Sequence, residues 1–339
     1  MNGQSLTDKE RMTERNHTAD PILEVENLTI AFRKKKQTRT VVDQMSYRVY
    51  PGEILGIVGE TGCGKSISSL AVLRLLPSNA VITGGRVLLK GEDLLSLSEK
   101  EMCGIRGNRI SMIFQDPMTA LNPTMTIGRQ LTEPFMLHQG MNRQEAFGKA
   151  ADMLGRVGIT DPAERLRAYP HEFSGGMLQR VVIAMALACR PEILIADEPT
   201  TALDVTIQAQ ILELILELRD ELNTAVILIT HDMGVISETA DRVQVLYAGQ
   251  IVESGETERV FSSPRHPYTR ALLRSIPDLS GGTEDLYVIP GMVPSAGNMP
   301  AGCRFADRCE AVMPRCRSEA PAVRETKDGV VRCHLTPGE

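Results

Sequence analysis

The sequence predicts an α/β fold: a parallel sheet with a β-rich N-terminal part, a helical insertion and a small cysteine-rich C-terminal extension. Three observations predict it. A glycine-rich turn, GETGCGKS at residues 59–66, joins an apolar run to a helical pattern. A second apolar run ends in two acids, Asp197 and Glu198. Strand and helix patterns then alternate from residue 192 to residue 247, as layered α/β sheets do.

The glycine-rich turn comes first. Residues 53–59 (EILGIVG) read as a short buried strand and residues 65–76 as a helix, so Gly59, Gly62 and Gly64 fall at a strand-to-helix turn. Backbone N–H groups and the positive end of the helix dipole converge there. The spacing G-x-x-x-x-G-K-S is that of a nucleotide phosphate cradle, in which glycines let the backbone curl around phosphate oxygens. Lys65 then reaches the β- and γ-phosphates and the Ser66 hydroxyl ligates Mg²⁺. Glu60, Thr61 and Cys63 complete the loop and Ile67 opens the helix, which makes residues 59–67 the expected ATP-binding stretch.

The second apolar run, ILIA at residues 193–196, has the continuous hydrophobicity of a buried central parallel strand. Charges at the C-terminal edge of such a strand stand where ligands bind in open α/β sheets. Asp197 is expected to hold the Mg²⁺ shell and Glu198 to act as general base on the attacking water. Acids at strand ends are commonly solvated loop charges, and the cradle elsewhere in the chain is what gives this pair a role.

With these residues in place, the chain resembles the ATP-binding subunits of ATP-binding-cassette (ABC) importers. Over most of its length it resembles the dipeptide/oligopeptide/nickel transporter branch. Gln115 in SMIFQDPMTALNP matches that family's Q-loop, and Ser174, Gly175, Gly176 and Gln179 in FSGGMLQR match its signature. Residues 202–204, ending in Asp204, match the D-loop, and His231 in ILITHD matches the switch histidine. The resemblance implies a P-loop NTPase cassette in which two ATPase subunits pair head to tail. Ser174, Gly175 and Gly176 would bind the γ-phosphate held by the partner's cradle, again at a helix N-terminus, since residues 177–189 pattern as a helix. His231 would contact that phosphate, with Lys65 and Glu198 as the other catalytic residues; Gln115 would join the Mg²⁺ ligands, and Gln179 and Asp204 the ATP-binding set. Phe32, after the first strand, is the candidate for stacking on adenine, ahead of Tyr47 and Tyr50 in the strand that follows.

Composition sets limits. The 339 residues suffice for about two domains, and 42% hydrophobic with 24% charged residues is ordinary globular composition. No apolar stretch approaches the ~20 residues that cross a bilayer. Residues 1–19 lack an apolar core, so no secretory signal is expected and the compartment is expected to be cytoplasmic. A net charge of −6 and a single basic cluster at residues 33–36, read as a solvated hairpin turn, argue against a nucleic-acid groove. The expected organisation is a disordered lead over 1–21, a cassette over 22–260 with its helical subdomain at about 116–180, and an extension over 261–339. By resemblance, residues 116–170 are the surface that meets the permease.

The extension opens with SSPRHPYTRALLRSIPDL and holds four of the seven cysteines, Cys303, Cys309, Cys316 and Cys333. A reducing compartment disfavours disulfides and makes metal binding the better reading. Their spacing lacks the C-x2-C pairs of structural zinc, whereas the resemblance implies a GCRFADRC…C…RCH tail holding a [4Fe–4S] cluster. Zinc, with His334, and unligated thiols stay open as alternatives. Cys103 and Cys189 read as inert; Cys63, inside the cradle, reads as open to oxidation.

The expected function is therefore an ABC-type peptide translocase ATPase, peripheral on the cytoplasmic face of the inner membrane. The resemblance implies a second, non-identical cassette subunit, two permease subunits and a separate substrate-binding protein, with no nucleic acid. Nickel, opines, glutathione or oligosaccharides are alternative cargoes. A cassette ATPase working on nucleic acid or the ribosome is the rival class, though its long coiled coils, zinc inserts or tandem cassettes are not visible in the sequence. A redox-sensing regulator built on the cysteine tail is the third reading.

Overall fold

The computed structural model describes residues 20–34, 37–201, 203–276, 287–326 and 329–336. Almost all of the expected disordered lead, Ala202 and two residues of the basic cluster lie outside them. The chain divides into two compact units, one of residues 20–50, 54–95 and 230–336, the other of residues 51–53 and 96–229.

The first unit contains the cradle strand, Ile54–Val58, buried along its whole length as its unbroken apolar run requires. It runs parallel to Arg242–Tyr247, with Leu55 opposite Arg242 and Val58 opposite Val245. Asp241 fixes this register: the Ile54 N–H donates to Asp241 Oδ2 at 2.8 Å and the Asp241 N–H donates to the Ile54 carbonyl at 3.0 Å. Gln250–Glu256 continues antiparallel to Arg242–Tyr247, and the C-terminal strands Gly329–Val331 and Arg324–Thr326 extend the sheet. A separate antiparallel sheet has Leu23–Lys34 between Gln37–Val49 and Ala80–Leu89, with Glu92–Asp93 at the edge.

The helix after the cradle, Lys65–Val72, is four residues shorter than the 65–76 expected. Arg74 turns left-handed at φ 53, and the Leu75 N–H folds back to the Leu70 carbonyl at 2.9 Å, which closes the helix end before Pro77.

The second unit has a parallel sheet in which Ile193–Asp197 lies between Ile110–Ile113 and Ala225–Thr230. Its helices include Ile127–Gln139, Arg143–Arg156, Gly175–Leu187 and Val205–Leu222. Arg143–Arg156 buries Ala146, Ala150, Met153 and Leu154, one stripe at helical spacing, and Asn142 with Glu145 closes its start as a capping box. Met153 is therefore core packing. Val205–Leu222 buries Ile211, Leu214, Ile215 and Leu218, and its N-cap is Asp204, whose carboxylate accepts the Ile207 N–H at 3.0 Å.

Candidate nucleotide-binding site

The cradle has the backbone that its glycines were expected to allow. Gly59, Gly62 and Gly64 sit at φ 154, 81 and 109. A Cβ on Gly59 would come within 2.1 Å of the Leu246 carbonyl oxygen, whereas one on Gly62 would meet nothing within 4 Å. Helix Lys65–Val72 starts on Gly64 with no side-chain cap, and the positive end of its dipole points at the loop. Lys65 is buried and arches back over the turn, donating to the Gly59 carbonyl at 2.7 Å and to the Glu60 carbonyl at 3.3 Å. Ser68 and Ser69 tie the first turn together by donating to the Lys65 and Ser66 carbonyls at 2.6 and 2.8 Å.

Cys63 is fully buried, and burial raises its thiol pKa above the ordinary value. The thiolate is the reactive form, so burial weighs against the expected sensitivity to oxidation.

Glu60 is held from the extension. Its N–H donates to the Tyr268 hydroxyl at 3.0 Å, and its carboxylate accepts from Arg308 at 3.0 Å. Sequence reading passed over both partners. The only available signal was HPYTR itself, in which His266 caps helix Pro267–Arg274 through Nδ1, accepting the Tyr268 N–H at 3.0 Å.

In the second unit Asp197 ends its strand buried, and Glu198 follows at φ 46 with its N–H donating to the Ile229 carbonyl at 2.8 Å. Glu198 Oε2 accepts from Gln115 Nε2 at 2.8 Å and from Thr201 Oγ1 at 3.0 Å. Gln115 and Glu198 are thus in direct contact, and Thr201 is a partner that the motifs did not flag, three residues along the same turn. Ser174 caps helix Gly175–Leu187, accepting the Met177 N–H at 3.4 Å; the helix begins two residues before the expected 177 because Gly175 and Gly176 form its first turn. Gln179 faces inward, 1% exposed, with no hydrogen-bond partner for its amide nitrogen among the described residues. Ser66, Gln115 and Asp197 carry hydroxyl, amide and carboxylate oxygens, the hard donors that suit Mg²⁺.

In the first unit His231 is exposed, immediately after Ala225–Thr230, and Asp232 caps the helix Met233–Thr239. Phe32 is half-buried on its strand between Arg39 and Ala80.

The iron–sulfur expectation is corrected. Cys303, Cys309, Cys316 and Cys333 do line one cavity, but its volume is only about 10 Å³, about the space of a single water, and it is walled by Phe305, Pro267 and Leu335. Burial raises the thiol pKa of Cys309 and Cys333 and pushes that of Cys303 up to about 11. Among the described residues no group of three or more His, Cys, Asp or Glu side chains is arranged to hold a metal ion. The cluster was what the resemblance of the GCRFADRC…C…RCH tail implied, and the structure does not support it.

Among the described residues no helix is long and apolar enough to cross a membrane. The ABC transporter family profile matches residues 42–201, and the profile of the oligopeptide/dipeptide transporter C-terminal region matches residues 252–316. The probable peptide ABC transporter ATP-binding protein y4tR of Sinorhizobium fredii is 52% identical over 316 residues, covering 93% of this chain and 94% of that protein. The dipeptide transport ATP-binding protein DppD of Escherichia coli is 49% identical, covering 92% and 96%. Among solved structures, the ATP-binding cassette MJ0796, a dimer bound to ADP and Pi, matches at TM-score 0.62 and 26% identity over 69% of this chain and 98% of that one. CbiO1 of Clostridium perfringens, part of the cbiONQ ABC transporter complex, matches at TM-score 0.61 and 26% identity, over 72% and 92%. With about half of its residues shared along nine-tenths of such relatives, the chain belongs to the ATP-binding proteins of ABC transporters, in the branch that carries the oligopeptide/dipeptide C-terminal region.

Proposed function

We propose that this chain is the ATP-hydrolysing subunit that powers peptide import through a membrane permease, working as one of two paired cassettes. The observation that carries the hydrolytic half is the double hold on Glu198, whose carboxylate is aimed by Gln115 and Thr201. The peptide cargo rests on relatives named as peptide and dipeptide transport ATP-binding proteins.

In this reading Lys65 and the cradle N–H groups bind the β- and γ-phosphates. Mg²⁺, held by Ser66, Gln115 and Asp197, neutralises charge on the triphosphate when bound. Glu198 takes a proton from the attacking water while the new bond to the γ-phosphorus forms and the bond to the ADP oxygen breaks. His231 contacts the γ-phosphate. Ser174, Gly175 and Gly176, at the start of a capped helix, meet the γ-phosphate held by the partner's cradle, so ATP joins the pair and its cleavage releases it.

Residues 116–170 take the permease contact. A groove of about 810 Å³ there is lined by Met125, Arg129, Met136, Leu137 and Phe147, and exposed Leu137 and Met136 give it an apolar floor. The partners are a second, non-identical cassette subunit, two permease subunits and a separate binding protein, and the location is the cytoplasmic face of the inner membrane. No observation favours the nucleic-acid or ribosome reading.

The test is isolation of the Glu198→Gln variant from its host's membranes with Mg²⁺-ATP, followed by mass spectrometry. Two permeases and a second cassette subunit are expected. Recovery of nucleic-acid or ribosomal factors without a permease would overturn the transport reading.

A further inference from the structure

Glu60 is a carboxylate inside a loop shaped to receive a polyanion. Left unpaired it would repel the phosphates. The structure supplies it with a partner from outside the loop. Arg308, with a side chain 6% exposed, donates from Nη1 to both Glu60 oxygens at 3.0 Å. Its other nitrogens are engaged as well: Nη1 also reaches the Tyr247 hydroxyl at 3.3 Å, Nε donates to the Pro290 carbonyl at 2.8 Å and Nη2 to the Ile289 carbonyl at 3.4 Å. The guanidinium therefore has one orientation, with Glu60 as its only carboxylate partner among the described residues. Tyr268 holds the Glu60 backbone through its hydroxyl, and Phe305 locks this arm by packing against Tyr247 and Tyr268 at ring distances of 5.1 and 5.3 Å.

We propose that Arg308 is a positioning residue for nucleotide binding: it draws the Glu60 carboxylate away from the triphosphate and cancels its charge, so that the C-terminal extension completes the cradle. The inference rests on the reading of residues 59–67 as an ATP site and adds a part of the site that lies outside the cassette motifs. Arg308 touches no substrate; it acts through Glu60. The Glu60 side chain is 28% exposed, so removing the guanidinium leaves its charge uncompensated beside the loop and no longer held away from it.

The experiment is calorimetric titration of the purified full chain with Mg²⁺ and the non-hydrolysable analogue β,γ-imido-ATP. Arg308→Met is expected to weaken binding tenfold or more, with the loss shrinking as salt rises because its origin is a charge. Arg308→Met combined with Glu60→Gln is expected to recover most of that loss, which a merely structural role for Arg308 would not allow. Arg308→Lys, which keeps the charge, is expected to lose less than Arg308→Met, and it serves if the methionine variant fails to fold. Tyr268→Phe, which keeps the ring, is expected to weaken binding by a few-fold. Wild-type affinity in Arg308→Met, or no recovery in the double variant, overturns the proposal while leaving the ATP site standing. A wild-type chain that binds no analogue overturns the ATP site and this proposal together.

Discussion

Gln115 donates its side-chain amide to Glu198 Oε2 at 2.8 Å, and the same oxygen accepts the Thr201 hydroxyl at 3.0 Å. The carboxylate that follows the central strand is thus aimed by two neutral donors, neither of which would take its place as a proton acceptor. Glu198→Gln is expected to lower kcat by about 10²–10⁴-fold with little change in KM for ATP, since only the proton transfer is lost. Thr201→Val removes one hydrogen bond from Glu198 and, if that residue is the base, is expected to lower kcat about 5–10-fold, the effect of ~1 kcal/mol. Steady-state ATPase assays on the assembled transporter check both; a normal rate in Glu198→Gln would remove that residue from the role of base.

Buried Cys63 and exposed Cys103 make an internal comparison. With its pKa raised by burial, Cys63 is expected to resist alkylation by iodoacetamide at pH 7.5, while Cys103, which the sequence reading took as inert, is exposed and is expected to be modified within minutes. Peptide mass spectrometry after a timed quench reads the two sites side by side. Labelling of Cys63 at the rate of Cys103 would mean that the cradle opens far more often than this structure implies.

His266 predicts a pH dependence of stability. Burial, then the nearby charge of Arg270, lowers its pKa to about 3 from an ordinary value of 6.5. The folded chain therefore keeps the ring neutral where the unfolded chain binds a proton. The stabilisation is complete above pH 6.5 and is lost as pH falls from 6.5 toward 3, at about 1.4 kcal/mol per pH unit, or about 2 kcal/mol by pH 5. Glu253, which accepts the Arg265 and His266 N–H groups and has its pKa raised by burial, contributes a slope of opposite sign. Comparing wild type with His266→Asn isolates the histidine, because Asn keeps a capping acceptor and Glu253 is present in both. Denaturant melts at pH 5, 6 and 7 should show the stability difference between the two narrowing or reversing at pH 5.

Gly249 supports the cradle from the loop after Arg242–Tyr247. Its N–H donates to the Cys63 carbonyl at 2.7 Å, its φ is 82, and a Cβ would lie 2.1 Å from the Val41 carbonyl oxygen. Gly249→Ala is expected to cost more than about 1 kcal/mol and to lower Tm by at least about 2 °C in differential scanning fluorimetry. An unchanged Tm would show that this loop relaxes freely.

Much of the fold was legible in the sequence. Val205–Leu222, Ala225–Thr230 and Arg242–Tyr247 fall within the stretch of residues 192–247 that reads as alternating strand and helix. The cradle was legible because its chemistry is local, a strand, a turn and a helix in unbroken succession from Ile54 to Val72. What was hidden is long-range. Tyr268 and Arg308 reach Glu60 across 208 and 248 residues, and no periodicity records such a pairing. The helix after Lys65 was overrun because a left-handed Arg74 carries no sequence mark of its own. The cysteines were over-read because their spacing says nothing of the tight, apolar cavity into which they fold.

The 248-residue separation of Glu60 from Arg308 also sets an order of events during synthesis. At about 5–20 residues per second a ribosome adds the arginine roughly 12–50 s after the glutamate. Throughout that interval the glycine-rich turn is in the growing polypeptide without the side chain that steadies its second residue. An incomplete product released before residue 308 would carry every cassette motif and yet lack this contact.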